Sequence, residues 1–336
     1  MSIKSIPVID LAPSFESTAG REKVAWEIRS ACETIGFFTI TGHAIPAALV
    51  DRLLVTARAF FALPLEEKRR TPQPVERISR GYSHVASRGL AYSTGAKTPP
   101  DLQESFAMGP LDEAPLEVRG TDAERLFFMR NLWPTQPADL RKAFEDYYGA
   151  MEGLSLHLLR LFALALGLDE HFFDGKVDHH TSTMRVIHYP PQAGVPEEGQ
   201  LRAGEHTDYG TLTILKGEDV PGGLQVKLRS GGWVDVHPAP DAFVCNIGDL
   251  MMRWTNDHWV SNPHRVANPP RDYAHIGRLS IPFFHNVNLD AEIRCIRAFY
   301  GAAESEKYPV MRFGDYYMSK HMKAQHMKAE AAPTAG

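Results

Sequence analysis

His206 and Asp208 stand two positions apart, just before Thr211, Leu212, Thr213 and Ile214, whose polar–apolar alternation predicts a strand. Side chains two apart on a strand share a face, so this spacing aims an imidazole and a carboxylate at one point. A neutral imidazole nitrogen and a carboxylate oxygen together suit a divalent first-row metal ion. Alone the pair says little, because two polar residues at that spacing are common on exposed strands. The next candidate donor is His264, fifty-six residues beyond Asp208. The intervening chain is punctuated by Pro221-Gly222-Gly223 and Ser230-Gly231-Gly232, and Leu224 to Leu228 with Trp233 to Val236 predicts a hairpin about the second turn. A meander of strands can therefore return His264 to the other two. Two nitrogens and one oxygen on one face of an ion leave its opposite positions open for reaction.

Arg278 and Ser280 follow, again two apart and so expected on one face of a strand. A guanidinium fork beside a hydroxyl is a receptor for a carboxylate. His-x-Asp, a distant His and then Arg-x-Ser, in that order, is far more specific than any one of these features.

With these motifs the chain resembles the Fe(II)- and 2-oxoglutarate-dependent oxygenases of the isopenicillin N synthase-like superfamily. The likeness runs over nearly the whole length, from Ile6-Pro7-Val8-Ile9-Asp10-Leu11 and Gly36-Phe37-Phe38 to Arg278-Leu279-Ser280. The thymine 7-hydroxylase-like and ethylene-forming branches share the style of Met184-Arg185-Val186 or of the segment around His206-Thr207-Asp208-Tyr209-Gly210. The resemblance implies that His206, Asp208 and His264 hold Fe(II). It implies that Arg278 and Ser280, helped by Tyr189, bind the far carboxylate of 2-oxoglutarate, and that O2 completes the set. Plant members often carry Asn two positions before that Tyr; Ile187 stands there instead, so that contact is absent. The implied reaction is oxidation, most simply hydroxylation, of a C–H bond of a small molecule, with release of succinate and CO2. Ethylene formation, desaturation or cyclisation within the superfamily, and a non-catalytic jelly-roll binding protein, are the alternatives. Arg185 is expected at the substrate or at the oxoacid end of the cosubstrate. Tyr209 is expected at the substrate if a bend at Gly210 turns it inward. Phe284, two even steps past Ser280, should face the same cavity, although Pro282 between them predicts an irregularity.

The elements that must position these residues read as follows. Ala25, Ile28, Ala31 and Cys32 recur at helical spacing until Gly36, and Ala47 to Phe61 is a second amphipathic helix. Residues 136–166 predict a long helix and Met184 to Tyr189 a strand closed by Pro190-Pro191. Residues 71–135 lack periodicity, and so long an irregular stretch in a compact domain is usually functional; Tyr82 and Phe106 within it are expected at the substrate. A helix is expected within 309–323. The many short strands predict a mainly β fold with flanking helices, a double-stranded β-helix or jelly roll with the metal in its open mouth. A single domain is expected over 1–323, with a helix-rich part at 1–180, the jelly-roll core at 181–290 and a disordered tail at 324–336. The other histidines, His180, His188 and His285 among them, are expected to be structural.

The chain has 336 residues, 43% of them hydrophobic, and a formal net charge of -5, which gives no reason to expect nucleic acid. No apolar run suggests a membrane span and Met1-Ser2-Ile3-Lys4 opens no signal peptide. Cys32, Cys245 and Cys295 lie far apart, which predicts buried free thiols in a reducing cytoplasm rather than disulfides or zinc. The expected partner is a small-molecule substrate, with the protein a monomer or weak homo-oligomer.

Overall fold

The computed structural model describes residues 5–74, 78–87, 89–91, 95, 98–192, 194–300, 305–320 and 322; the tail expected at 324–336 lies outside them. The strands of the two main sheets, in chain order, are β1 (Val8–Asp10), β2 (Phe37–Thr41), β3 (Gly81–Ser83), β4 (Glu104–Met108), β5 (Thr183–Tyr189), β6 (Ala203–His206), β7 (Leu212–Gly217), β8 (Leu224–Lys227), β9 (Trp233–Asp235), β10 (Phe243–Ile247), β11 (His264–Val266) and β12 (Arg278–His285). The helices that matter here are α1 (Ala12–Glu16), α2 (Thr18–Thr34), α3 (Ala47–Phe61), α4 (Leu65–Lys68), α5 (Asp122–Phe127), α6 (Leu140–Ala165) and α7 (Asp249–Trp254). Residues 313–320 add a further helix.

Eight strands form one sheet in the order β1-β2-β10-β7-β12-β5-β4-β3, and β6-β11-β8-β9 form a second. This is the jelly-roll core with helices on one side. The segment read as irregular supplies β3 and β4, which extend the larger sheet beyond β5. Such short strands, broken by Ser, Gly and Pro, escape a search for periodicity.

The pleat gives the larger sheet two distinct faces. On β12, Leu279, Ile281 and Phe283 are fully buried in the core, while Arg278, Ser280, Pro282 and Phe284 line a cavity on the opposite face. On β5, Met184 and Val186 face the core, and Thr183, Arg185, Ile187 and Tyr189 face the cavity. The core side is covered by α2, α3 and α6; Tyr148 of α6 meets Phe283 edge to face at 5.1 Å. Pairing between β12 and β5 skips Ile281 and Pro282 yet resumes in the same register at Phe283 opposite Met184. The missing proline N–H therefore interrupts the ladder without turning the strand, and Phe284 keeps its cavity-facing side. Gly36 ends the first long helix at φ 68°, where a Cβ would stand 1.8 Å from the Val260 carbonyl oxygen. All three cysteines are buried free thiols. No helix among the described residues is long and apolar enough to cross a membrane.

A buried polar knot joins the helices to β4. The Glu104 carboxylate accepts from Lys68 at 2.8 Å, from the Tyr82 hydroxyl at 2.5 Å and meets His188 Nδ1 at 2.8 Å. Burial pushes its pKa up, but hydrogen bonds from His188, Lys68 and Tyr82 outweigh that and hold it below the usual value. Removing the carboxylate in Glu104→Ala strands the Lys68 ammonium in a buried site, at about 3–5 kcal/mol of stability, measured as a lower urea midpoint. A depressed folded-state pKa contributes stability above the unfolded carboxylate range and loses it as pH falls through the folded value. The gap between wild type and Glu104→Gln should therefore narrow on acidification; a gap independent of pH down to that range would refute the assignment.

Candidate metal and cosubstrate site

β6 belongs to the smaller sheet and β7 to the larger, so the chain crosses between sheets within residues 207–211. His206 is the last residue of β6 and sits opposite His264, the first of β11, in an antiparallel pair. Asp208 lies in the crossover itself. It does not share a strand face with His206, as the two-residue spacing had suggested; a bend delivers it instead. The bend is tight at Gly210, where a Cβ would stand 2.2 Å from the His285 carbonyl oxygen, and it is pinned by the Asp249 N–H donating to the Asp208 carbonyl at 2.8 Å.

The three side chains converge. Asp208 Oδ1 lies 4.0 Å from His206 Nε2 and 3.8 Å from His264 Nε2, and one donor atom from each residue falls within 4.8 Å of the others. Each imidazole is oriented from behind. Nδ1 of His206 is 2.8 Å from the Gly204 carbonyl and Nδ1 of His264 is 3.2 Å from that of Asn262. A carbonyl only accepts, so the proton sits on Nδ1 and the Nε2 lone pair faces inward. Asp208 Oδ2 accepts from Thr213 at 2.6 Å and Asn246 at 2.8 Å, which leaves Oδ1 to the centre. Burial, seconded by the neighbouring His264, lowers the His206 pKa to about 4. Burial opposes the charge on Asp208, but both imidazoles and the two hydrogen bonds keep its pKa below the usual value. Neutral nitrogen and ionised oxygen are the protonation states that a metal requires.

A second corner faces the first across the cavity. Arg278 and Tyr189 are direct partners across β12 and β5. The Arg278 Nε–H donates to the Glu218 carbonyl at 3.1 Å, its guanidinium stands 5.3 Å from the centre of the Tyr189 ring, and Tyr189 and Ser280 line the cavity beside it. Arg278 Nη1 is buried without an acceptor among the described residues. An orphaned guanidinium N–H beside two hydroxyls is what a carboxylate would satisfy. The donor set at both corners thus fits a metal ion and a dicarboxylate. Arg202, not singled out in the sequence, braces this corner: it is fully buried, donates to the carbonyls of Gly222 and Ile276 at 2.9 Å each, and stacks by the Tyr189 ring.

The cavity, about 240 Å³, touches both corners and is walled by Arg185, Tyr209, Phe284 and Tyr317 among others. Arg185, Tyr209 and Phe284, expected at the substrate, all face into it. Tyr82 and Phe106 do not: both are buried on the core side of the sheet, with Phe60 meeting Tyr82 at 6.0 Å and Phe106 at 5.0 Å. The residues beside them, Ser83 and Ser105, line the cavity instead. One step along a strand reverses the face, and residues 71–135 offered no periodicity from which to fix it. Tyr317 was also missed. It comes from the helix at 313–320, whose Tyr316 and Lys320 donate to Asp249 Oδ2 at 2.7 and 2.8 Å, while Ser261 donates to Oδ1 at 2.7 Å.

Comparison with known proteins decides the family. Residues 180–287 match the model of the 2OG-Fe(II) oxygenase superfamily, and residues 6–136 match that of the non-haem dioxygenase in morphine synthesis N-terminal region. The 2-oxoglutarate-Fe(II) type oxidoreductase hxnY of Emericella nidulans is 36% identical over 340 residues, covering 98% of this chain and 94% of its own. The chain belongs to the 2-oxoglutarate–Fe(II) oxygenase superfamily. The 2-oxoglutarate-dependent dioxygenase citB of Monascus ruber is likewise 36% identical, over 86% of this chain and 87% of its own. Among solved structures, the full-length thymine 7-hydroxylase of Neurospora crassa in complex with alpha-KG and thymine superposes with a TM-score of 0.80 at 30% identity, covering 97% of each chain. The protein is accordingly a 2-oxoglutarate-dependent non-haem iron dioxygenase that uses Fe(II), 2-oxoglutarate and O2.

The partners of Asp208 make a prediction that separates ligand from support. Thr213→Val and Asn246→Ala should each weaken Fe(II) or Mn(II) binding about 10–100-fold, whereas His264→Ala should abolish stoichiometric binding with the fold intact by circular dichroism. Anaerobic metal titration reads both; undiminished stoichiometric iron in His264→Ala would remove that residue from the set.

Proposed function

We propose that His206, Asp208 and His264 hold the iron on one face, that Arg278, Ser280 and Tyr189 take the far carboxylate of 2-oxoglutarate, and that the enzyme hydroxylates a C–H bond of a small flat molecule lying against Tyr209 and Phe284 beside Arg185. The observation that carries this reading is a single cavity reaching both the three-donor corner and the orphaned Arg278 N–H. The iron supplies the chemistry: with O2 and 2-oxoglutarate a C–H bond becomes C–OH while the oxoacid leaves as succinate and CO2.

The chain's own residues supply placement. Arg278 fixes the cosubstrate from its far end, where a charge-assisted pair in a dry site is directional. Tyr209 and Phe284 give aromatic faces for a planar group and keep water from the reacting position. Thymine, the flat ring held in the Neurospora protein's complex, supports a planar substrate. With Fe(II), 2-oxoglutarate and O2, a mass-spectrometric screen of pyrimidines, amino acids and small aromatic acids should find one product heavier by one oxygen and equimolar with succinate. A panel in which 2-oxoglutarate turnover responds to no compound would count against the reading.

Two variants test the two ends of the cavity. Arg278→Ala should weaken apparent 2-oxoglutarate affinity by about 2–5 kcal/mol, read by titrating the cosubstrate; unchanged affinity would move the carboxylate receptor elsewhere. Tyr209→Ala and Phe284→Ala should lower product formed per succinate released while 2-oxoglutarate affinity holds. Native coupling in both would place the substrate elsewhere.

A further inference from the structure

Arg185 is a cation for which the described residues supply no counter-ion. Its Nη2 donates to Ser79 Oγ at 2.8 Å, and its Nε is buried with no acceptor among the described residues. Among the described residues no carboxylate pairs with it, and burial works against its charge with only the neighbouring Tyr317 offsetting that effect. The residue is half-buried, with its exposed part on the cavity wall, and a largely desolvated charge left unmatched is costly, so the site favours a counter-charge that arrives from outside. Ser79 also lines the cavity and already accepts from Arg185, so its own hydroxyl hydrogen remains to be given.

The charge on the cavity walls says how much is missing. Among the described lining residues the ionised side chains are Arg185, Arg278 and Asp208, and the two ligand histidines coordinate as neutral imidazoles. A ferrous ion and a 2-oxoglutarate dianion cancel each other. One net positive charge is then left in the loaded chamber, and it belongs to Arg185. That residue stands four positions from Tyr189 along β5, about 13 Å at strand rise, so its backbone is well removed from the corner that takes the cosubstrate's far carboxylate.

We propose that the substrate is a monoanion, a planar monocarboxylate whose carboxylate pairs with Arg185 and accepts from Ser79 while its ring packs against Tyr209 and Phe284. This rests on the foregoing assignment of the iron and 2-oxoglutarate corners. The test uses the full-length protein loaded with Fe(II) and 2-oxoglutarate without O2. Benzoate, phenylacetate and indole-3-carboxylate are titrated against benzamide, phenylacetamide and indole-3-carboxamide by calorimetry. At least one acid should bind tenfold or more tighter than its amide. Arg185→Gln should erase that preference while keeping 2-oxoglutarate affinity within twofold, which also shows that the variant is folded. Ser79→Ala, which retains the guanidinium, should lose part of the preference. Amides that bind as well as acids, or no binding by any of the three acids, overturns the proposal. Loss of 2-oxoglutarate affinity in Arg185→Gln also overturns it, by assigning the arginine to the cosubstrate. Failure of the wild-type protein to bind 2-oxoglutarate with Fe(II), measured before any acid is added, would instead overturn the cosubstrate assignment beneath it.

Discussion

The crossover between β6 and β7 is the constraint on which the site depends. Within five residues, 207–211, the chain must leave one sheet, deliver a carboxylate to two histidines and enter the other sheet in register. Neither sheet alone could bring the donors together: the histidines are cross-strand neighbours in the smaller sheet, while Thr213 and Asn246, which hold Asp208, belong to β7 and β10 of the larger one. The three-donor corner is therefore also a joint between the sheets. Hydrogen bonds at the back of each of the three side chains fix their direction and, for the imidazoles, their tautomer.

The pleat of the larger sheet does the remaining work. With helices on one face and the cavity on the other, the strands that line the cavity alternate aliphatic or aromatic residues with residues that can bind. Leu279, Ile281 and Phe283 against Arg278, Ser280 and Phe284 is one such alternation, and Tyr82 and Phe106 against Ser83 and Ser105 is another. The same backbone spacing thus sets stability and binding at once, and a one-residue slip would exchange them.

This explains what could be read from the sequence. That His206, Asp208 and His264 would converge and that Arg278 and Ser280 would share a face was legible, because their chemistry is rare and their order specific. The helix at Ala47–Phe61 and the hairpin around Ser230 were legible because periodicity and turn residues mark them. The two faces of β3 and β4 were not: strands of three and five residues carry too little pattern to fix a register. The position of Asp208 was right and the reason wrong, since convergence came from a bend rather than from a shared strand face. Tyr317 was hidden because a helix was expected near it without any signal of which side the helix would turn to the cavity.

Asp249 ties these parts into a loop. Its N–H holds the Asp208 backbone, and its carboxylate gathers Ser261, Tyr316 and Lys320. The helix that Tyr316 and Lys320 dock also presents Tyr317 to the cavity, more than a hundred residues along the chain from Asp208. Contacts of such long sequence separation carry a loop-closure cost that only the seated helix repays. A ligand that packs on Tyr317 binds only when the helix is seated, so by mass action it favours the seated state. Occupancy of the chamber and protection of the 313–320 segment from hydrogen exchange or proteolysis are thereby two readings of one equilibrium.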